Sequence, residues 1–321
     1  MIELGPGTDL FRLIGVLFWM VLLAALLAAY FLPKSRKKKI IAVTTVLVLF
    51  LAFPGRSLWE AKQKADAARD RLTKAEAIFQ ERCKKSGEFI HKTAENVEGI
   101  LLMKLRPSEM NSGDQYKMDD PYGRDLGGDG YITSFVKGSY QATTTGTPAL
   151  GSPPRLGYPF VEAVDPQDGK RYRYTGGMKV VGRQDTNAHN VQVDMARNPN
   201  YDVNIYAFKL DRTPSMGPAP RYGVTYDDIS TREDRDYWIA GSSLKVIDLS
   251  TNEVMAERIG YMMDRGQGST AGFRSPWLVA ADHACPSFFR NPNLPPNGHG
   301  SRAQVHQTED FVEKVLKPIR E

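Results

Sequence analysis

Two apolar runs open the chain, and mixed amphipathic patterns fill the rest. The first run, Leu13–Leu32 (LIGVLFWMVLLAALLAAYFL), holds 20 residues without a charge. As a helix it is long enough to cross roughly 30 Å of hydrocarbon. Trp19 and Tyr30 suit the two interfaces, and Pro33 stops the helix. The second run, Ile40–Phe53 (IIAVTTVLVLFLAF), has 14 residues and is short for a span. Lys38 and Lys39 extend it by carrying their ammonium heads to the interface, and Pro54–Gly55 lengthen the uncharged stretch. The pattern predicts a transmembrane hairpin. A buried core helix is the competing assignment for the second run.

From Ser57 the period becomes helical. Leu58, Ala61, Ala65, Ala68, Leu72, Ala75 and Phe79 form a heptad stripe, and Glu60/Lys64 and Asp66/Arg69 are spaced to support a helix. An Ala-dominated seam is narrow, so packing on the chain's own domain competes with dimerisation through this stalk. Phe89, Ile90, Ala94, Val97, Leu101 and Leu105 predict a second helix over Gly87–Leu105, closed by Pro107. Asn111–Gly130 and Tyr140–Pro159 read as loops. Strands are expected at Tyr172–Tyr174, Met178–Val181, Val191–Met195, Val203–Leu210 and around Tyr222–Tyr226. A hairpin of Trp238–Leu249 and Val254–Met262 is joined by Ser250-Thr251-Asn252-Glu253. A short helix, Glu309–Lys317, follows.

These elements predict an α+β protein: a two-helix transmembrane hairpin over 1–55, a helical stalk over 56–107, and an antiparallel β-sheet domain with packed helices over 108–321. At 321 residues with 41% hydrophobic and 25% charged residues, the polar part is long enough to bury a sizeable core.

Charge changes the picture next. The chain carries a net +5, which alone suggests nucleic acid. But residues 1–55 hold six Lys/Arg against two acids, and the remainder is nearly neutral. No nucleic-acid partner is therefore expected. Five of the cations, Lys34, Arg36, Lys37, Lys38 and Lys39, sit in the seven-residue loop between the apolar runs. Short Lys/Arg-rich loops stay in the cytoplasm, and this one can also meet anionic head groups. The expectation is an inner-membrane protein with two spans and with both termini and the main domain extracytoplasmic, in the periplasm of a Gram-negative cell. The length of the first run and the poor site at Ala52-Phe53-Pro54 argue against a cleaved signal peptide.

On that topology Cys83 and Cys285 lie in an oxidising compartment and are expected to form a disulfide. Little else points to chemistry. His91, His189, His283, His299 and His306 form no HExxH or compact Cys/His pattern, and neither a metal nor a cofactor is expected. Ser242-Ser243-Leu244-Lys245 matches S-x-x-K, but in a strand Ser and Lys face opposite ways. Asp119, Asp120, Asp125 and Asp129 offer oxygen ligands. EF-hand spacing fails at Gly127 and Val136, so a solvated acidic loop is expected. Thr231–Asp236 reads as a charged turn before a core strand. The Gly-rich loop Arg265–Trp277, with Phe273, Arg274 and Trp277, is the candidate partner-binding surface, because loops on a rigid sheet carry recognition.

The function these features predict is a non-enzymatic, membrane-anchored interaction protein of the cell envelope. Its partners would be the lipid bilayer and an envelope protein, as for an assembly subunit or a toxin-neutralising protein. The alternative is a membrane-tethered hydrolase acting on an envelope polymer or lipid, since a spatially assembled active site leaves no linear motif.

Overall fold

The computed structural model describes residues 7–108, 115–123, 127–138, 157–288, 304 and 307–319. The expected loop Tyr140–Pro159 lies mostly outside them, as do Asp125, His299 and His306. The chain divides into two units, Met1–Arg71 and Leu72–Glu321.

The first unit holds helix α1 (Gly7–Phe31) and most of α2 (Arg36–Cys83). Pro33 falls between them, as expected, and α2 continues through the Pro54–Gly55 positions without a break. Of the two, α2 is long and apolar enough to cross a membrane; the apolar part of α1, Gly15–Phe31, is shorter. Phe18 meets Phe50 with ring centroids 5.8 Å apart, and the Lys39 ammonium lies 4.8 Å from the Tyr30 ring centroid. Most other large apolar side chains here point outward, among them Leu17, Trp19, Leu23, Val48 and Leu49.

The second unit is a mixed α+β fold around one large sheet. Its strands are β1 (Gly87–Ile90), β3 (Gly99–Leu102), β4 (Phe160–Val164), β5 (Arg171–Arg183), β6 (Asn204–Pro214), β7 (Tyr222–Asp228), β8 (Ile239–Asp248), β9 (Glu253–Met263) and β10 (Ala284–Cys285). They run in the order β1-β9-β8-β7-β3-β4-β5-β6, with β10 beside β1 on the outer edge of β9. A small parallel pair joins β2 (Ala94–Val97) to β11 (Leu316–Pro318). The sheet is not the antiparallel one expected: β3 lies parallel to both β4 and β7.

Two further expectations are corrected. Gly87–Leu105 is not a helix but β1, β2 and β3. β3 is a central strand whose Ile100 and Leu102 are buried in the core and whose Leu101, on the other face, is half-buried, so its apolar residues run together (Gly-Ile-Leu-Leu), and such a run does not distinguish strand from buried helix. A Cβ on Gly99 would sit 2.3 Å from the Phe160 ring, a closeness only glycine permits. Val191–Met195 is not a strand but lies in α4 (His189–Arg197). Residues 191 and 195 share a helix face, and Val191 is buried. The β8–β9 hairpin forms as read, and the last helix is α7 (Gln307–Val315).

The main core lies on one sheet face. Ile100, Leu102, Val161, Val224, Tyr226, Leu244 and Val246 meet Tyr131, Ile132 and Phe135 of α3 (Asp129–Lys137) and Phe311, Val312 and Val315 of α7. Each such side chain contributes about 1.5–3 kcal/mol on burial. A second cluster joins Ala75 and Phe79, the last residues of the heptad stripe, to Ile239, Tyr261 and Met263. Leu58, Ala61, Ala65 and Ala68 of the same stripe are exposed. Cys83 and Cys285 are disulfide-bonded with Cα atoms 5.6 Å apart, joining the end of α2 to β10.

Candidate functional site

Beyond β9 the chain turns back through Asp264, whose carboxylate is fully buried. It accepts hydrogen bonds from the backbone N–H of Gly266 (2.9 Å) and Gly268 (2.8 Å). The Arg274 guanidinium closes the circle, donating to Asp264 through Nη1 (3.1 Å) and Nη2, and to the Ser269 carbonyl at 2.6 Å. This bond to Asp264 raises the Arg274 pKa. Gln267 Nε2 donates to the carbonyls of Tyr237 (2.9 Å) and Asp264 (3.1 Å), and Arg265 pairs with Glu76 at 2.7 Å.

The loop's backbone is costly. Among the described residues six non-glycines have left-handed φ, and three of them, Trp238, Gln267 and Phe273, belong to this loop or the strand start beneath it. Bulky residues rarely adopt that region. Gly268 has φ +83°, and a Cβ there would overlap the Trp238 indole at 2.2 Å. Trp238 in turn packs on Trp277, with ring centroids 5.2 Å apart. The Trp277 Nε1 is buried without a partner among the described residues. α6 (Pro276–Ala280) carries Trp277 and continues the loop.

The three residues singled out from sequence thus share one loop but not one role. Phe273 is fully exposed, at 104% of its reference area. Arg274 is held by Asp264, and Trp277 packs against Trp238 and lies 5.4 Å from the Arg235 guanidinium. Leu278, which sequence reading passed over, joins Phe273 at the surface with 63% exposure. Asp264 was also missed. The signal for it was Asp264-Arg265-Gly266-Gln267-Gly268, an acid ahead of two glycines, which suits a side chain that collects backbone N–H groups.

The other polar motifs hold structure together. Asp120, fully buried, accepts from Arg106 Nη1 (3.0 Å), Ser242 Oγ (2.8 Å) and Gly123 N–H (2.9 Å). Burial raises its pKa and Arg106 opposes that rise. Asp119 accepts from Tyr226 OH at 3.0 Å and pairs with Lys104 at 3.3 Å. The acidic loop is therefore tied to the sheet, not solvated, at these two positions. Ser243 donates to Glu257 (2.6 Å), which lies 3.6 Å from Lys245, and Ser242 serves Asp120, so no Ser–Lys pair forms. Thr231–Asp236 is a capped helix, α5 (Arg232–Asp236). Its buried Arg235 donates to the Gln115 (3.1 Å) and Met118 (3.0 Å) carbonyls and contacts Asp228. Its Asp234 takes the Arg82 guanidinium at 3.0 Å. His283 is held below its usual pKa by burial and then by Arg265. Among the described residues no three His, Cys, Asp or Glu side chains converge as metal ligands.

Fold and loop together define a mixed α+β domain with an apolar helix and a pinned aromatic loop. No family model matches the chain, and neither a curated protein nor a solved structure matches it.

Proposed function

We propose that this is a membrane-anchored interaction protein of the cell envelope, without catalytic activity, whose main domain faces away from the cytoplasm and engages a partner protein through Phe273 and Leu278. The observation that carries this reading is the strained, fully braced loop. Backbone strain persists where surrounding structure enforces it, and it concentrates at ligand-binding and active sites. Here Asp264, Arg274 and the Trp238–Trp277 stack brace the loop that carries the exposed phenyl ring. A loop already braced has less backbone entropy to lose on docking, which favours affinity.

The anchor reading rests on different support. The apolar side chains of α1 and α2 that point outward suit hydrocarbon and would be a large liability in water. Lys34, Arg36, Lys37, Lys38 and Lys39 favour a cytoplasmic connection between two spans. The Cys83–Cys285 disulfide agrees with an oxidising compartment for the domain.

Two experiments test the proposal. A photo-crosslinking residue at position 273 in the full-length protein in its native membrane should capture an envelope protein, and one at the exposed turn residue Thr251 should not. Equal capture at both positions, or none at 273, removes the loop's role. A reporter fused after Glu321 should be active only in its extracytoplasmic form; cytoplasmic activity overturns the topology.

A further inference from the structure

At the far end of the sheet, β4 reaches β5 only at Arg171–Tyr174. Beyond that point β5 and β6 pair with each other alone, as a long two-stranded ribbon. Two-stranded ribbons are marginal by themselves. This one also shows more large apolar surface than any other part of the sheet: Met178, Val180, Val181, Ile205 and Tyr206 are all exposed. Among the described residues no strand pairs with the outer edge of β6.

We infer that β6 is a self-pairing edge, at which two copies of this chain join β6 to β6 antiparallel about a two-fold axis through Leu210. The two sheets then become one. This inference is independent of the loop at Phe273.

The hydrogen-bonding direction of each residue follows from the β5 register. Ser215 N–H donates to the Arg171 carbonyl at 3.0 Å, and in an antiparallel ladder bonded residues alternate. Thr213, Asp211, Lys209 and Ala207 therefore turn their backbone groups toward β5. Arg212, Leu210, Phe208 and Tyr206 turn theirs to the open edge. A self-pairing strand must bring these outward residues opposite one another, and an axis on any one residue of the strand does so, at an outward residue as a hydrogen-bonded pair and at an inward one as a non-hydrogen-bonded pair. Pro214, which has no N–H, falls among the outward positions at the strand's end, where it costs the β5 ladder nothing and, opposite Tyr206 of the second copy, leaves the new ladder one donor short at each of its two ends. No proline interrupts residues 204–213, and the charges on this edge, which would turn away an uncharged strand, complement one another in a second copy.

Charge selects both the occupant and the register. Lys209 is exposed and has no ion-pair partner among the described residues. With the axis on Leu210, each Lys209 faces Asp211 of the second copy, twice by symmetry, and Phe208 faces Arg212. With the axis on Phe208, Lys209 faces Ala207 and Asp211 faces Ile205, so neither charge is matched. An axis on Lys209 itself sets like charges together. Directly opposite charges stabilise a strand pair and like charges oppose it. Asp211 already meets Lys179 at 2.6 Å and so would bridge two lysines.

The test is the mass of the full-length protein in detergent micelles across the micromolar range. A dimer is expected for the wild type. Lys209→Asp, which places Asp opposite Asp twice, should weaken dimerisation at least about tenfold, as should Asp211→Lys. The exchange of both residues should restore it, and Lys209→Arg should leave it intact. Far-UV circular dichroism shows whether each variant keeps the sheet. A monomeric wild type overturns the inference. So does a dimer indifferent to Lys209→Asp, which assigns self-association to the helices or another surface. Failure of the double exchange to restore dimerisation also overturns it. A chain of different sequence crosslinked across β6 at Lys209 would assign the edge to that chain instead.

Discussion

Under β8 and β9 the sheet is covered on both faces. Ala75 and Phe79 pack on Ile239, Tyr261 and Met263, while α7 closes the core over Leu244 and Val246. Two ion pairs are enclosed there, Arg106–Asp120 and Arg274–Asp264. Along β5 and β6 the same kinds of residue stand in water: Met178 and Val180 are more than half exposed, and Met262 and Val246 are not exposed at all. Strand composition therefore does not distinguish the two ends. The difference is what the rest of the chain lays over them. One end is held by an oxidised crosslink, a helix end and buried ion pairs; at the other, the core contacts of Tyr174, Phe208 and Leu210 and the Glu162 ion pairs hold the base of the ribbon and leave Met178, Val180, Val181, Ile205 and Tyr206 beyond it exposed.

The sharpest way to break this contrast is the disulfide. It closes a separation of 202 residues, and in the chain-entropy model such a crosslink contributes about 5 kcal/mol. Replacing Cys83 and Cys285 together with Ser should lower stability by a large fraction of that, read as a shift in the urea midpoint. Asp264→Ala comes next, at roughly 3–5 kcal/mol, because it leaves the partly buried Arg274 and the N–H groups of Gly266 and Gly268 without their acceptor. Tryptophan fluorescence should report it, since Trp238 and Trp277 pack against this loop. Leu244→Ala should cost about 2–5 kcal/mol as a cavity in a closed core. Val180→Lys on the ribbon should stay within about 0.5 kcal/mol in the monomer. Amide hydrogen exchange should order the two ends the same way, with β8 opening near the global free energy and the ribbon tip below it.

The smallest expected effect is that of pH. His283 has its folded pKa depressed, chiefly by burial, so the unfolded chain binds the proton more readily. Its contribution is complete above the unfolded value of about 6.5 and is lost as pH falls below that. Thermal midpoints at pH 7 and pH 5 should differ less in His283→Gln than in the wild type. An equal difference removes His283 as a source.

Local signals carried part of the candidate site. Gly, Arg and aromatic residues marked Arg265–Trp277 as a loop of interest, and the structure does present Phe273 there. They did not separate a presented side chain from one that braces it. Arg274 looks like an interface anchor until Asp264 is seen to hold it, and Asp264 lies ten residues earlier in the chain. The helix expected over Gly87–Leu105 failed for a related reason. Ile100 and Leu102 are buried because β4 and β7 flank them and helices cover their face of the sheet, and neither fact is local. The β8–β9 hairpin needed no such information, because its two arms and its turn adjoin in sequence.

By itself the sequence determined the apolar runs, the basic loop between them, the α2 helix and the β8–β9 hairpin. All are set by neighbouring residues through hydropathy, helical periodicity and turn chemistry. The Cys83–Cys285 pair was also expected from sequence, as the two cysteines of one compartment, whereas only the tertiary structure decided that β3 lies parallel between β4 and β7 and that Arg274 braces while Phe273 is exposed. It also decided that the ribbon's Val and Met are left bare. Each of these depends on pairing or coverage between residues far apart in the chain, and nearest-neighbour patterns do not encode which distant surface arrives.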